Sequence, residues 1–241
     1  MTVKDTICSF ENLSFFPSLV HGISTKAFGS MKIKDGTLDC DHLETFRKAL
    51  AIEERAVCMQ QVHGGTVSVI PKLQKEKVPS TDGLVTNTKH IPLAVLTADC
   101  LPILFCDPQK EAIGVAHAGY KGLLNHIIEH TIDRMISEFG SDPKDIIVGV
   151  GPGIERDCYE VGKEVIALFE KTFPSFKEMF VAKDGKYFLD LHKVAEQCLR
   201  KGGILKEHSE VLSACTKCDS NLYSYRRGDT NDRFVSIISL Q

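Results

Sequence analysis

No apolar run in this chain approaches the length of a membrane span, so no membrane-crossing helix is expected. The first residues, MTVKDTICSFENLSFF, interleave acids with short apolar pieces and lack the apolar core of a signal peptide. There is no internal repeat, no low-complexity segment and no long Pro/Gly/Ser linker, so nothing marks a domain boundary. Net charge is also slight: 29 Lys and Arg against 32 Asp and Glu leave −3 at pH 7. That balance argues against a nucleic-acid surface spread over the whole protein, while leaving room for a local basic pocket. The nine cysteines form no disulfide framework on this reading. Their number is odd, their spacing irregular, and a chain of 241 residues does not need staples. These absences point to a cytoplasmic protein with reduced thiols and no membrane or nucleic-acid partner.

What is present suits one large α/β domain over residues 1–241, with 43% hydrophobic and 25% charged residues. Ile91–Leu96, Leu101–Phe105 and Ala112–Ala116 read as buried strands. Asp107-Pro108-Gln109-Lys110 reads as a tight turn, making the last two antiparallel. From Leu123 to Phe139 apolar residues recur at helical spacing, and Gly140 and Pro143 end the pattern. Asp145–Val150 returns as a strand, and Val161–Phe173 reads as a second helix. A third helix starts at Asp190, a good N-cap, and runs to about Lys201. Phe234–Leu240 reads as a last core strand, and polar stretches near Lys72–Ser80 and Lys183–Lys186 as loops. This mixture predicts a mixed-sheet α/β sandwich.

Two stretches place a metal-binding side chain where a buried strand ends: Thr97-Ala98-Asp99-Cys100 and His117-Ala118-Gly119-Tyr120-Lys121-Gly122. A third ligand is available in Gln60-Gln61-Val62-His63-Gly64. One thiolate and two imidazoles form a chemically sensible catalytic zinc set that leaves one position open. Zinc so held can bring the pKa of water to about 7. The plain alternative is a buried thiol and two ordinary histidines, since no compact ligand motif is present.

Other patterns are weaker. His126 and His130 lie four apart but share a face with Glu129, Asp133 and Arg134, which suits a solvated surface. Cys215-Thr216-Lys217-Cys218 lacks a second pair at zinc-ribbon spacing; it is incidental, or it positions Cys215 and Thr216 near a site. Cys58, Cys106, Cys158 and Cys198 read as core fillers. In Gly149-Val150-Gly151-Pro152-Gly153-Ile154 the glycine spacing is wrong for a dinucleotide fold, and Pro152 removes a donor that a phosphate cradle would use. Tyr223-Ser224-Tyr225-Arg226-Arg227, followed by Arg233, suits a flat ring beside an anion, or simply a solvated basic loop. Adjacent residues on an extended segment point oppositely, so one of Arg226 and Arg227 is expected to face a cleft.

Taken together and in order, several segments resemble the laccase-domain family of YfiH type, also labelled polyphenol oxidases. They are Gln61-Val62-His63-Gly64, Thr81-Asp82-Gly83-Leu84, Thr97-Ala98-Asp99-Cys100-Leu101-Pro102, His117-Ala118-Gly119-Tyr120-Lys121-Gly122, Gly151-Pro152-Gly153-Ile154, Cys158-Tyr159-Glu160-Val161, Asp190-Leu191, Cys215-Thr216 and Ser224-Tyr225-Arg226-Arg227. The resemblance implies an α/β sandwich similar to the catalytic domain of cytotoxic necrotizing factor toxins. It implies zinc on His63, Cys100 and His117. It also implies phosphorolysis of adenosine, inosine and methylthioadenosine, with accompanying deamination of adenosine. The chain departs from the family at Tyr120 and Cys58, where Trp is usual, at Ala195, where Asn is common, and at Lys26, where Arg is usual.

On this reading purine nucleoside and phosphate are the partners. Asp99 is a proton shuttle or orienting group, and Lys26, Tyr225, Arg226, Arg227 and Arg233 form the substrate and anion set. A copper phenol oxidase is the first alternative, disfavoured because nine histidines include no His-x-His pair. A metal-free cysteine hydrolase with Cys100 as nucleophile and His117 as base is the second. A non-enzymatic metal-binding protein is the third. The sequence does not fix an oligomeric state.

Overall fold

The computed structural model describes residues 7–32, 37–74 and 76–241. Two β-sheets lie face to face, with helices on both outer sides. The six-stranded sheet runs in the order β12 (Ser209–Val211), β8 (Ile147–Val150), β6 (Leu101–Asp107), β7 (Ala112–Ala118), β4 (Gly83–Thr86) and β3 (Val67–Val69). The four-stranded sheet runs β1 (Ile7–Cys8), β2 (Leu19–Ser24), β13 (Phe234–Leu240) and β5 (Leu93–Thr97). A smaller sheet joins β10 (Phe180–Lys183), β11 (Lys186–Leu189) and β9 (Glu160–Val161). In the large sheet β12–β8 and β3–β4 pair in parallel, while β6–β7, β6–β8 and β4–β7 are antiparallel. The sheet is therefore mixed, as the strand pattern suggests.

The apolar strands β6 and β7 are buried on both faces, which is why they read as near-continuous hydrophobic runs rather than alternating ones. Ile113 and Val115 of β7 enter the core between the sheets, with Leu93, Val95 and Ile238. Ala112, Ala116 and Ala118 turn the other way, under the helices α4 (Ile127–Phe139) and α6 (Leu191–Lys201). By the two-residue alternation of a strand, His117 falls on the inter-sheet side, at the end of the sandwich. On the outer side of the four-stranded sheet, α2 (Cys40–Ala49) covers Ala94, Leu96, Val235 and Ile237 with Leu43 and Phe46. Each fully buried large apolar side chain in these layers is worth about 1.5–3 kcal/mol. Among the described residues no helix is long and apolar enough to cross a membrane.

The tight turn at 107–110 is held by Asp107, whose Oδ1 accepts from Gln109 N at 2.9 Å and Lys110 N at 3.1 Å. Asp190 caps α6 by accepting from Lys193 N at 2.9 Å. The helix expected over 123–139 is two pieces, α3 (Tyr120–Leu124) and α4, separated at Asn125-His126 with His126 at φ 58°. That left-handed residue lets α3 begin directly after β7 while α4 packs across the sheet. The helix expected over 161–173 begins later, as α5 (Lys163–Thr172), because Glu160 and Val161 pair with β11. Cys58, Cys106 and Cys198 are buried, whereas Cys158 is half-buried, packing against the edge of the core on one side and lying against Cys218 on the other.

Candidate functional site

The chain passes from β5 in one sheet to β6 in the other through Ala98-Asp99-Cys100. The corner is sharp, with Asp99 at φ 89°. Cys100 follows it at the open end of the sandwich. The β6–β7 register aligns Leu101 with Ala118 and Pro102 with His117, which sets Cys100 opposite Gly119. A Cβ on Gly119 would stand 2.6 Å from Cys100 Sγ, so the close approach of that backbone to the thiol requires glycine.

His63 comes from a loop held by one carboxylate. Asp82 accepts from Val62 N at 3.1 Å, His63 N at 2.9 Å and Gly64 N at 2.7 Å. Its Oδ1 also meets His117 Nδ1 at 2.8 Å. Asp82 is fully buried, as is most of His117, so one carboxylate orients both imidazoles. Gln61 steadies the same loop, its amide pairing with the backbone N–H and C=O of Leu96 at 3.1 and 2.8 Å. The rings of His63 and His117 lie 4.7 Å apart at 72°. One ligand atom from each of His63, Cys100 and His117 falls within 4.8 Å of the others. The structure thus brings together three residues separated by 54 positions in the chain (63 to 117).

Burial would raise the Cys100 thiol, but His117, and behind it His63, overcome that and bring its pKa to about 6. Burial would lower His117; the Cys100 thiolate and the Asp82 carboxylate raise it to about 9. Without a metal the pair is therefore a thiolate and an imidazolium. A metal ion needs the thiolate and a neutral imidazole. Between about pH 6 and pH 9, binding should release about one proton, from His117. Below that window the Cys100 thiol adds its own proton to the release, and above it release falls toward zero. Affinity should accordingly climb about tenfold per pH unit inside the window. Calorimetric titration of the metal-free protein in buffers of different ionisation enthalpy measures this; release near zero at neutral pH would contradict it.

The trio opens into a cavity of about 720 Å³, within the range of small-molecule sites. Among the described residues its wall carries Lys32, Lys77, Lys121, Arg226 and Arg233, against one carboxylate, Asp99. Burial, Arg233 and Lys77 together lower the Lys32 pKa, as expected of cations crowded without enough counter-charge. Tyr120, Tyr159 and Tyr225 supply flat surfaces in the same wall. Arg226 lies over the Tyr159 ring, 5.0 Å from its centroid, and donates to Glu160 O at 3.0 Å.

Asp99 does not point freely into this space. One oxygen accepts from Thr216 Oγ1 at 2.6 Å and the other from Arg226 N at 2.7 Å. Arg227 turns away from the cavity to fasten the carbonyls of Thr216, Lys217, Asp219 and Leu222 and the carboxylate of Asp229. Lys26 also lies outside the cavity wall, 3.4 Å from Asp229 and over the ring of Tyr223. Of the five substrate residues expected from sequence, Tyr225, Arg226 and Arg233 line the cavity. Lys32 and Lys77 carry no sequence signal because isolated lysines form no motif, whereas Lys121 lies inside the His117–Gly122 segment, where nothing in the sequence assigns it a role. Of the other departures from the family pattern, Tyr120 lines the cavity, while Cys58 and Ala195 are buried in separate cores.

Residues 15–241 match the family model described as multi-copper polyphenol oxidoreductase laccase. The chain is 33% identical over 229 residues to the Escherichia coli protein named purine nucleoside phosphorylase YfiH, covering 92% of this chain and 90% of that one. It is 37% identical over 174 residues to the mouse protein named purine nucleoside phosphorylase LACC1, covering 70% of this chain but only 39% of that longer one. Among solved structures, YlmD from Geobacillus stearothermophilus is similar at TM-score 0.90 and 28% identity, covering 100% of this chain and 98% of that one.

Proposed function

The chain belongs to the family described as multi-copper polyphenol oxidoreductase laccase, and from that premise we propose that it is a zinc-dependent purine nucleoside phosphorylase. The observation that carries this is the joining of a Cys-His-His ligand set to a cation-lined cavity with tyrosine faces. The names of the relatives supply the substrate class. Adenosine and inosine are the proposed substrates, with methylthioadenosine a further one and deamination of adenosine as an accompanying activity.

The donor set fits zinc: a thiolate and two imidazoles, one with its second nitrogen fixed by Asp82, as is usual for a metal-ligating histidine. His63, Cys100 and His117 would hold the ion, which supplies a Lewis acid and an open coordination position. Copper, which the family description names, remains the alternative cofactor. Among the described residues no histidine-rich cluster suits a multi-copper centre.

Phosphorolysis forms a bond from a phosphate oxygen to the anomeric carbon of ribose and breaks the bond to the base nitrogen. The products are ribose 1-phosphate and free base. Lys32, Arg226 and Arg233 would bind the phosphate, and Tyr120, Tyr159 and Tyr225 would bracket the flat base. Asp99 serves as a positioning residue, since both of its oxygens are engaged in holding Thr216 and Arg226.

Arg226→Ala should raise the KM for phosphate roughly 10–100-fold, the cost of losing a charged hydrogen-bond donor. Arg227→Ala should leave that KM near its starting value and lower thermal stability instead. The reverse pattern in steady-state kinetics and melting curves would refute the assignment.

The lowered Cys100 and raised His117 favour one second reading, a metal-free cysteine nucleophile with His117 as its acid–base partner. Elemental analysis of the purified protein separates the readings: stoichiometric zinc supports the first, copper the oxidase, and absence of metal the nucleophile.

A further inference from the structure

Outside this centre three more thiols converge. Cys158 ends the turn Arg156–Cys158, and Cys215 and Cys218 lie in the CxxC segment sixty residues further on. Cys158 Sγ and Cys218 Sγ are 3.3 Å apart, and all three sulfurs lie within 4.8 Å of one another. Sulfurs sharing a tetrahedral ion at about 2.3 Å stand about 3.8 Å apart, inside that range.

The surrounding backbone is built around the cluster. Gly153 and Cys215 form a parallel bridge, with Thr216 N donating to Gly153 O at 2.9 Å. Cys218 N closes the turn on Cys215 O at 3.1 Å. Glu155 N points at Cys215 Sγ from 3.5 Å, a donor placed to stabilise negative charge on that sulfur. Three thiols from two segments are thus held together by main-chain contacts.

We propose that Cys158, Cys215 and Cys218 form a second metal site, selective for a soft, thiophilic cation. An all-sulfur donor set selects such ions over hard divalent ones. The site is half-buried, with Cys218 exposed, so an ion can enter from solvent. The bound ion ties the segment carrying Tyr159 to the segment carrying Tyr225 and Arg226, all three of which line the catalytic cavity. Through Thr216 the same segment holds Asp99, beside Cys100. The site thus acts as a clamp on two walls of the cavity, and it stands whether or not the phosphorylase reading does.

Cadmium(II) added to the chelator-treated, reduced full chain tests this, read by sulfur-to-cadmium absorption in the ultraviolet. Wild type should take two equivalents. Cys100→Ser should take one, with the absorption of a multi-thiolate site. Cys218→Ser, at an exposed position and checked for folding by circular dichroism, should also take one. Cys100→Ser/Cys218→Ser should show no thiolate absorption. Undiminished uptake by Cys218→Ser would overturn the proposal. So would a wild type that takes one equivalent while Cys100→Ser takes none. A Cys158–Cys218 disulfide that persists under reductant and blocks uptake would overturn it too.

Discussion

Cys100→Ser is expected to keep the fold while phosphorolysis falls by well over the ~10–100-fold that loss of an outer partner of a metal ligand costs. The thiolate is the only anionic ligand of the three, and a serine hydroxyl stays protonated near neutral pH. The substitution also removes the charge that holds His117 protonated in the metal-free protein, so the His117 pKa should fall below about 9. The fold should survive because the β6–β7 register and the apolar residues on both faces do not depend on the sulfur. Metal content, kcat/KM and Tm read the outcome. His63→Ala is the informative companion. A metal centre needs His63 and should lose activity with it, whereas a Cys100–His117 nucleophile pair would keep most of its turnover. Full activity in either variant would remove the metal centre from the chemistry.

Asp82 is expected to matter nearly as much, although it contacts no substrate. Its carboxylate accepts from three successive backbone N–H groups and from His117 Nδ1. Asp82→Asn keeps the size and one acceptor oxygen but loses the charge. It should lower zinc affinity about 10–100-fold. Asp82→Ala leaves donors unpaired; because water reaches the exposed 62–64 loop, the cost should be about 2–3 kcal/mol. For a chain of this size that lowers Tm by roughly 5–10 °C. Zinc competition with a chromophoric chelator and thermal melts measure the two effects. Unchanged zinc affinity in Asp82→Asn would show that the carboxylate supports the loop alone.

The strands that carry the site were legible because they are buried on both faces. A strand such as Leu101–Asp107 has nowhere to place a polar side chain, so its sequence is a continuous apolar run. The tight Asp107 turn then made the β6–β7 pair antiparallel. The N-terminal third was not legible for the opposite reason. Strand β2 sits in the middle of its sheet, yet reads Leu-Val-His-Gly-Ile-Ser. Its polar residues are satisfied only in the fold: His21 Nε2 accepts from Phe10 N at 2.9 Å, and Ser24 Oγ accepts from Val235 N at 2.9 Å. Those partners lie 11 and 211 residues away, so no local pattern reveals them.

The candidate site divides along the same line. Cys100 and His117 announce themselves by ending apolar runs, whereas His63 sits in a loop at φ 60° whose position Asp82 sets from outside. Of the adjacent arginines, strand geometry alone indicates that one faces inward, and only contacts with the carbonyls of the 216–222 segment show why Arg227 does not. The break between α3 and α4 was hidden because the apolar spacing continues through it. A left-handed His126 interrupts the backbone without disturbing which residues are apolar.

The most direct measurement is incubation of the zinc-loaded protein with adenosine and with inosine, each with and without phosphate, followed by chromatography of free bases and ribose 1-phosphate. Release of base that requires phosphate, with ribose 1-phosphate formed in equal amount, is the expected result. Absence of free base from either nucleoside in fully loaded protein would contradict a nucleoside phosphorylase, and base release independent of phosphate would contradict the anion role of Arg226 and Arg233.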